Sequence, residues 1–252
     1  MTPKSTITTY STSKSKLFQL LEQLPNNDWC TESIYISQAT LENSTLTQSV
    51  IPSYFIERIQ SKNIMLQLQT SDTGIALFIG EKQGMAILPP FPILSDCRER
   101  GFQTTQLKEI LRKKYTVGVV LVRLGRFGLG ILQGNTLKIS KTSTRYVKNR
   151  HKAGGQSQRR FERNRERLIK ELYGEICTKS KELFKPFEDH LDYILFGGDD
   201  HVLRNLLNSC PYLSRLENKM LHRKLAINQP NQKTLENIDF ELWKSKIIDF
   251  QY

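Results

Sequence analysis

Cysteine is scarce and dispersed: Cys30, Cys97, Cys177 and Cys210 form no CxxC pair and no Cys/His group with metal-ligand spacing. That pattern predicts neither a zinc site nor a disulfide framework, and it points to a reducing compartment, the cytosol. Long hydrophobic runs are absent too. No stretch approaches the roughly 18 apolar residues of a membrane span, and the Ser- and Thr-rich start, Met1 to Lys16, lacks the apolar core of a signal peptide. A membrane partner is therefore not expected. Acidic residues are nearly missing from one segment: residues 141–170 carry 11 Lys/Arg against 2 Asp/Glu, whereas 1–140 carry 15 against 10 and 171–252 carry 11 against 13. One short segment thus supplies most of a net charge of +12. Charge gathered in this way is the footprint of a polyanion partner; a solvated basic helix that touches nothing is the alternative.

With 38% hydrophobic residues in 252, the chain can bury an ordinary core. Met1 to Ser13 reads as a frayed start, followed by a helix from Lys14 to Leu24 whose Leu17, Leu20, Leu21 and Leu24 fall at helical spacing. Trp29 to Lys62 is mixed, with a turn near Pro52. Gly74 to Gly80 and Gly84 to Leu88 predict a hairpin turning at Glu81, Lys82 and Gln83. Gln103 to Lys114 reads as a helix with Leu107, Ile110 and Leu111 on one face, and Thr116 to Leu124 is β-branched enough for a buried strand. Phe127 to Gln133 and Thr136 to Ser140 continue the strand pattern. From Gln158 a helix should run to about Cys177, with Phe161, Leu168, Ile169, Leu172 and Ile176 facing inward. Leu191 to Phe196 is a strand ending in Gly197-Gly198-Asp199-Asp200, where either Asp could cap a helix beginning near His201. Met220 to Ile227 suggests a strand, and Gln232 to Lys246 a closing helix with Leu235, Ile238, Leu242 and Trp243 directed inward. There is no internal repeat. This order predicts an α+β or α/β fold: a mixed sheet flanked by helices over residues 65–252, preceded by a small helical region over 1–64.

The most informative segment is Arg145 to Glu166, RYVKNRHKAGGQSQRRFERNRE. Gly154 and Gly155 allow backbone conformations closed to other residues and a close approach to a ligand, so a loop built on them can enter a narrow cleft. Gln156 and Gln158 add neutral donors and acceptors with no charge to desolvate. The surrounding Arg145, Lys148, Arg150, Lys152, Arg159, Arg160, Arg163 and Arg167 can hold a phosphate backbone.

This segment resembles the catalytic loop of the Vms/ANKZF-type release-factor-like family, in a bacterial or archaeal single-domain form. Those proteins are relatives of the central domain of eukaryotic and archaeal class I peptide release factors. The class I pattern Gly-Gly-Gln is matched by Gly154, Gly155 and Gln156, and the Vms-type pattern Gly-x-x-Gln by Gly155 and Gln158. The following RRFER run and preceding RYV strand fit the Vms-type arrangement, which favours Gln158 over Gln156. The resemblance covers roughly residues 65–225 and implies an RNase H-like topology. It also implies hydrolysis of peptidyl-tRNA on stalled large ribosomal subunits, in ribosome rescue or quality control. The implied partners are the large subunit with its rRNA and peptidyl-tRNA, and no cofactor is required. In that mechanism Gln158 or Gln156 positions a water against an ester carbonyl while hydrogen bonds stabilise the developing oxyanion. The zinc-finger pair, ankyrin repeat and long C-terminal tail of eukaryotic members are absent from this sequence.

Three other readings compete. Gly154-Gly155 could be a turn before a helix with Ser157 near its N-cap. The arginines could belong to an RNA-binding module that catalyses nothing. Asp199, Asp200 and His201 at a strand end could belong to a metal-dependent nuclease, but the remaining candidates, Asp189 and Asp192, show no convergence with them and helix capping explains the pair more cheaply. His151 could act as a base, although Arg150 and Lys152 beside it should lower its proton affinity.

Overall fold

A computed structural model describes residues 6–43, 50–58, 68–69, 71–145 and 156–251, without the side chains of Thr6, Arg58, Gln156, Ser157 and Gln158. In chain order its main elements begin with β1 (Thr6–Thr12), α1 (Lys14–Gln23), β2 (Cys30–Ile36), β3 (Ile75–Gly80), β4 (Gln83–Leu88), β5 (Cys97–Arg100) and α2 (Thr105–Arg112). Then come β6 (Thr116–Arg123), β7 (Arg126–Gln133), β8 (Thr136–Thr144), α3 (Gln156–Phe184), β9 (Tyr193–Gly198), α4 (Asp200–Ser209), β10 (Met220–Lys224) and β11 (Ser245–Gln251). They form two compact units, Met1–Lys113 with Leu242–Tyr252, and Lys114–Glu241. The division therefore falls at residue 113 and not at 64, and the last residues return to the first unit.

The first unit is an antiparallel sheet in the order β1-β11-β4-β3-β2-β5. The expected hairpin is there as β3 and β4, and so is the first helix, whose N-cap Ser13 accepts from the Lys16 amide. Two expectations are corrected. The frayed start is strand β1, paired with β11 from Thr6↔Gln251 to Thr12↔Ser245. The closing helix is instead two short helices, Gln232–Glu236 and Ile238–Leu242, followed by β11. Leu235, Ile238, Leu242 and Trp243 are nevertheless buried as expected. With β2 also present, the N-terminal region, read as helical or mixed, holds two strands beside its helices. An edge strand such as TITTYST shows water most of its surface, so hydrophobic periodicity does not reveal it.

In the second unit β6, β7 and β8 form an antiparallel meander, and β9 then β10 add in parallel on the other side of β6, giving the order β10-β9-β6-β7-β8. This is the RNase H-like order that the resemblance implied. Its core joins Val120, Val122, Phe127, Leu129 and Ile131 of the sheet to Leu172, Ile176 and Phe184 of α3 and Leu203 and Leu206 of α4. Gly198 is obligatory where β9 crowds β6: its φ is +143°, and a Cβ there would lie 2.0 Å from the Val122 carbonyl oxygen.

The fold joins Cys177 to Cys210 in a disulfide, which corrects the expectation of four unlinked cysteines. The two are 33 residues apart in sequence, but α3 and the end of α4 share one core, so their Cα atoms are 5.3 Å apart. Asp199 caps α4 as anticipated, its Oδ1 accepting from the His201 and Val202 amides at 3.0 and 3.3 Å. Asp199→Ala is expected to cost about 1 kcal/mol, read as a lowered midpoint of thermal unfolding. Among the described residues no helix is long and apolar enough to cross a membrane.

Candidate nucleic-acid interface

Strand β8 leads into the basic loop and α3 leads out of it, so the geometry of these two elements sets where the loop is held. The Arg145 amide donates to the Gly125 carbonyl at 2.7 Å, closing the end of the meander. Its guanidinium reaches α3, with Nη1 2.9 Å from Glu171 Oε2 and Nε 3.2 Å from Glu175 Oε2. Ser143 Oγ donates to the other Glu175 oxygen, and Arg167 takes the other Glu171 oxygen while donating to Asn164. Each pair is partly exposed, and such pairs contribute little one by one. Together they fix the strand exit against the part of the helix about four to five turns beyond its start. Arg145 and Arg167, expected to touch RNA, are thus already engaged with carboxylates.

Helix α3 is 29 residues long, and only its later part has a core beneath it. Leu172 and Ile176 are buried and Ile169 packs against the core, as expected. Phe161 does not turn inward; it is 50% exposed. Every residue from Arg159 to Arg163 is exposed. At 1.5 Å per residue, the helix start lies about 20 Å along the axis from Ile169, so the helical stripe continues well past the core it would pack on.

The tip has an unusual electrostatic arrangement. A helix N-terminus carries partial positive charge and favours acidic residues, yet the first turn of α3 has none. Arg159, Arg160 and Arg163 follow directly, and Arg159 and Arg163 stand at i,i+4 spacing, where like charges repel. Among the described residues no carboxylate pairs with these three. Each misplaced charge costs an isolated helix a few tenths of a kcal/mol, a cost that a bound polyanion would reverse.

Of the remaining expected site residues, Lys148, Arg150, Lys152, Gly154 and Gly155, with His151, lie outside the described residues. Gln156 and Gln158 stand in the first turn of α3, and their side chains also lie outside the described set. At the end of β9, Asp199 is occupied in capping, Asp200 is ion-paired with Lys224, and His201 Nδ1 lies 3.0 Å from Asn205 Nδ2. Among the described residues no three His, Cys, Asp or Glu side chains are grouped as a metal site would need.

Residues 115–247 match the family model described as acVLRF1, Actinobacteria/chloroflexi VLRF1 release factor. The chain is 33% identical over 178 residues to peptide chain release factor subunit 1 of Thermococcus sibiricus, covering 65% of this chain and 42% of that protein. It is 30% identical over 178 residues to the protein of the same description from Pyrococcus abyssi, with the same coverage. The chain thus spans less than half the length of these curated relatives. Among solved structures, the Vms1 mitochondrial localization core aligns over 90% of this chain and 92% of its own, with 14% identity and a TM-score of 0.43.

Proposed function

This chain belongs to the Actinobacteria/chloroflexi VLRF1 release factor family, and from that premise we propose that it is a peptidyl-tRNA hydrolase that frees nascent peptides from stalled large ribosomal subunits. The observation that carries this reading is the tip of α3. It is a helix start with no acidic residue in its first turn and with Arg159, Arg160 and Arg163 exposed within two turns, set immediately after the sequence Gly154-Gly155. Arg159, Arg160 and Arg163 hold rRNA or tRNA phosphate, with Lys148, Arg150 and Lys152 supplying further charge from the loop. Arg145 and Arg167 serve instead to brace the loop base through Glu171.

The chemistry asked of the protein is modest. An ester is more reactive than an amide, so placing one water against its carbonyl and donating a hydrogen bond to the oxyanion supplies much of the rate. Gln158, with Gln156 as the alternative, holds that water, and Gly154 and Gly155 let the backbone enter the peptidyl-transferase cleft. Neither step calls on a metal or a cofactor. Its place of action on this reading is the cytoplasm.

The test is release of labelled nascent peptide from isolated large subunits carrying peptidyl-tRNA. Wild-type protein is expected to release it in a single turnover; binding without release would make the chain a non-catalytic RNA-binding module. The electrostatic part is checked separately. Alanine at Arg159, Arg160 and Arg163 together is expected to reduce the slope of log affinity for the ribosome against log salt by about 3. An unchanged slope would remove these arginines from the interface.

A further inference from the structure

Between α3, the ends of β6 and β9, and the start of α4, the second unit has a cleft of about 810 Å³. It opens at the carboxyl ends of two adjacent parallel strands, the edge at which open α/β sheets commonly take ligands. Its size is within the roughly 300–1,000 Å³ of small-molecule and cofactor sites. One wall is α3 itself, through Arg165, Ile169 and Tyr173. These stand four residues apart, as does Phe161 before them, so a single helical row runs from the exposed tip into the cleft.

The lining mixes two chemistries. Leu124, 42% exposed at the rim, and Ile169 give apolar surface on which a flat ring can rest. Arg123 and Arg165 bring positive charge, and His201 and Asn205 bring hydrogen-bonding edges held against each other at 3.0 Å. Arg123 donates to the Ile227 carbonyl at 3.1 Å, and among the described residues no carboxylate pairs with it. The phenol of Tyr173 is pushed up from its ordinary value, chiefly by burial, against the opposing pull of Asn205 and Arg165, so it remains a neutral hydroxyl. The acidic lining residue, Asp199, has its carboxylate directed to the α4 amides. Apolar area for a base beside cations for a phosphate is the pattern by which single-stranded nucleic acid is held.

We propose that this cleft binds a nucleotide of single-stranded RNA whose neighbouring residues follow the Phe161 row of α3, with Phe161 as a stacking platform. The inference rests on the reading that the partner is RNA, and not on ester hydrolysis. The same chemistry would accept a free mononucleotide, so the test has to separate the two.

The experiment uses the full chain, a fluorescein-labelled eight-residue single-stranded RNA, and a 4-thiouridine version of it for photocrosslinking. Wild type is expected to bind in a salt-dependent way and to crosslink within the cleft. Arg123→Ala combined with His201→Ala, both at exposed positions, is expected to weaken binding about tenfold and to abolish those crosslinks. Phe161→Ala is expected to weaken binding about fivefold or more. AMP should compete only at far higher concentration than the oligonucleotide. Cleft variants that bind and crosslink like wild type would overturn the proposal, as would AMP binding as tightly as the RNA. The arginine tip triple variant separates the two ideas: if it loses ribosome binding and release while cleft variants keep both RNA binding and crosslinks, the hydrolase reading stands and the cleft does not. If wild type releases no peptide but the cleft variants lose RNA, the opposite holds.

Discussion

Alanine at both Gln156 and Gln158 will lower peptide release from stalled large subunits by at least about 100-fold, the scale of losing one preorganised group that stabilises an acyl-transfer transition state. Ribosome affinity should remain within about twofold, because the charge that binds phosphate lies in the arginines that follow and is untouched. Both positions are in the first turn of a helix whose stability comes from Leu172, Ile176 and the packed half of α3, so the substitutions leave the fold intact. The single variants assign the role. Release abolished by Gln158→Ala alone would place the Vms-type spacing from Gly155 in use; abolition by Gln156→Ala alone would place the Gly-Gly-Gln spacing in use. A double variant that releases peptide at the wild-type rate would remove both glutamines from the chemistry.

Reducing the Cys177–Cys210 bond will lower the unfolding free energy of the second unit by about 3–4 kcal/mol, the value chain entropy gives for a closed loop of this length. That is a sizeable part of the roughly 5–15 kcal/mol by which ordinary domains are stable. Both cysteines lie in or against the core that seats the packed half of α3, and Cys210 is fully buried. Denaturant titrations of wild type with and without reductant, with thiols counted in each sample, measure the difference. Identical midpoints with two free thiols counted without reductant and four with it would show that packing, and not the crosslink, holds α3 and α4 together. The exposed tip of α3 has no core of its own, so its orientation depends on this seat and on the Arg145 and Glu171 pairing.

Much of the second unit can be read in its residues. TVGVVLVR is rich in β-branched residues and is buried through Val122; the basic loop stands between a strand and a helix; and Gly197-Gly198-Asp199 ends a strand and caps the next helix. These features are local, so each announces itself within one or two turns of chain. The first unit is less legible outside its β3–β4 hairpin because β1 and β5 are largely polar and β1 pairs with a strand from the far end of the chain. Thr6–Thr12 pairs with Ser245–Gln251 across almost the whole chain, and neither alternates strongly enough to be recognised alone. Phe161 was misplaced for a related reason: helical spacing says which residues share a face, but not where the core beneath that face stops.

The sequence by itself determined the family, the concentration of positive charge around the loop, the catalytic candidates Gln156 and Gln158, and the order of strands and helices from Thr116 to Leu221, since each of these is written in neighbouring residues. Only the tertiary structure decided that Arg145 and Arg167 converge on one carboxylate, that Cys177 meets Cys210, that the C-terminus completes the first sheet, and that Arg123, Arg165 and His201 line one cleft. Those are meetings between residues tens to hundreds of positions apart, brought about by burying two separate cores, and no short-range pattern in a single chain encodes them.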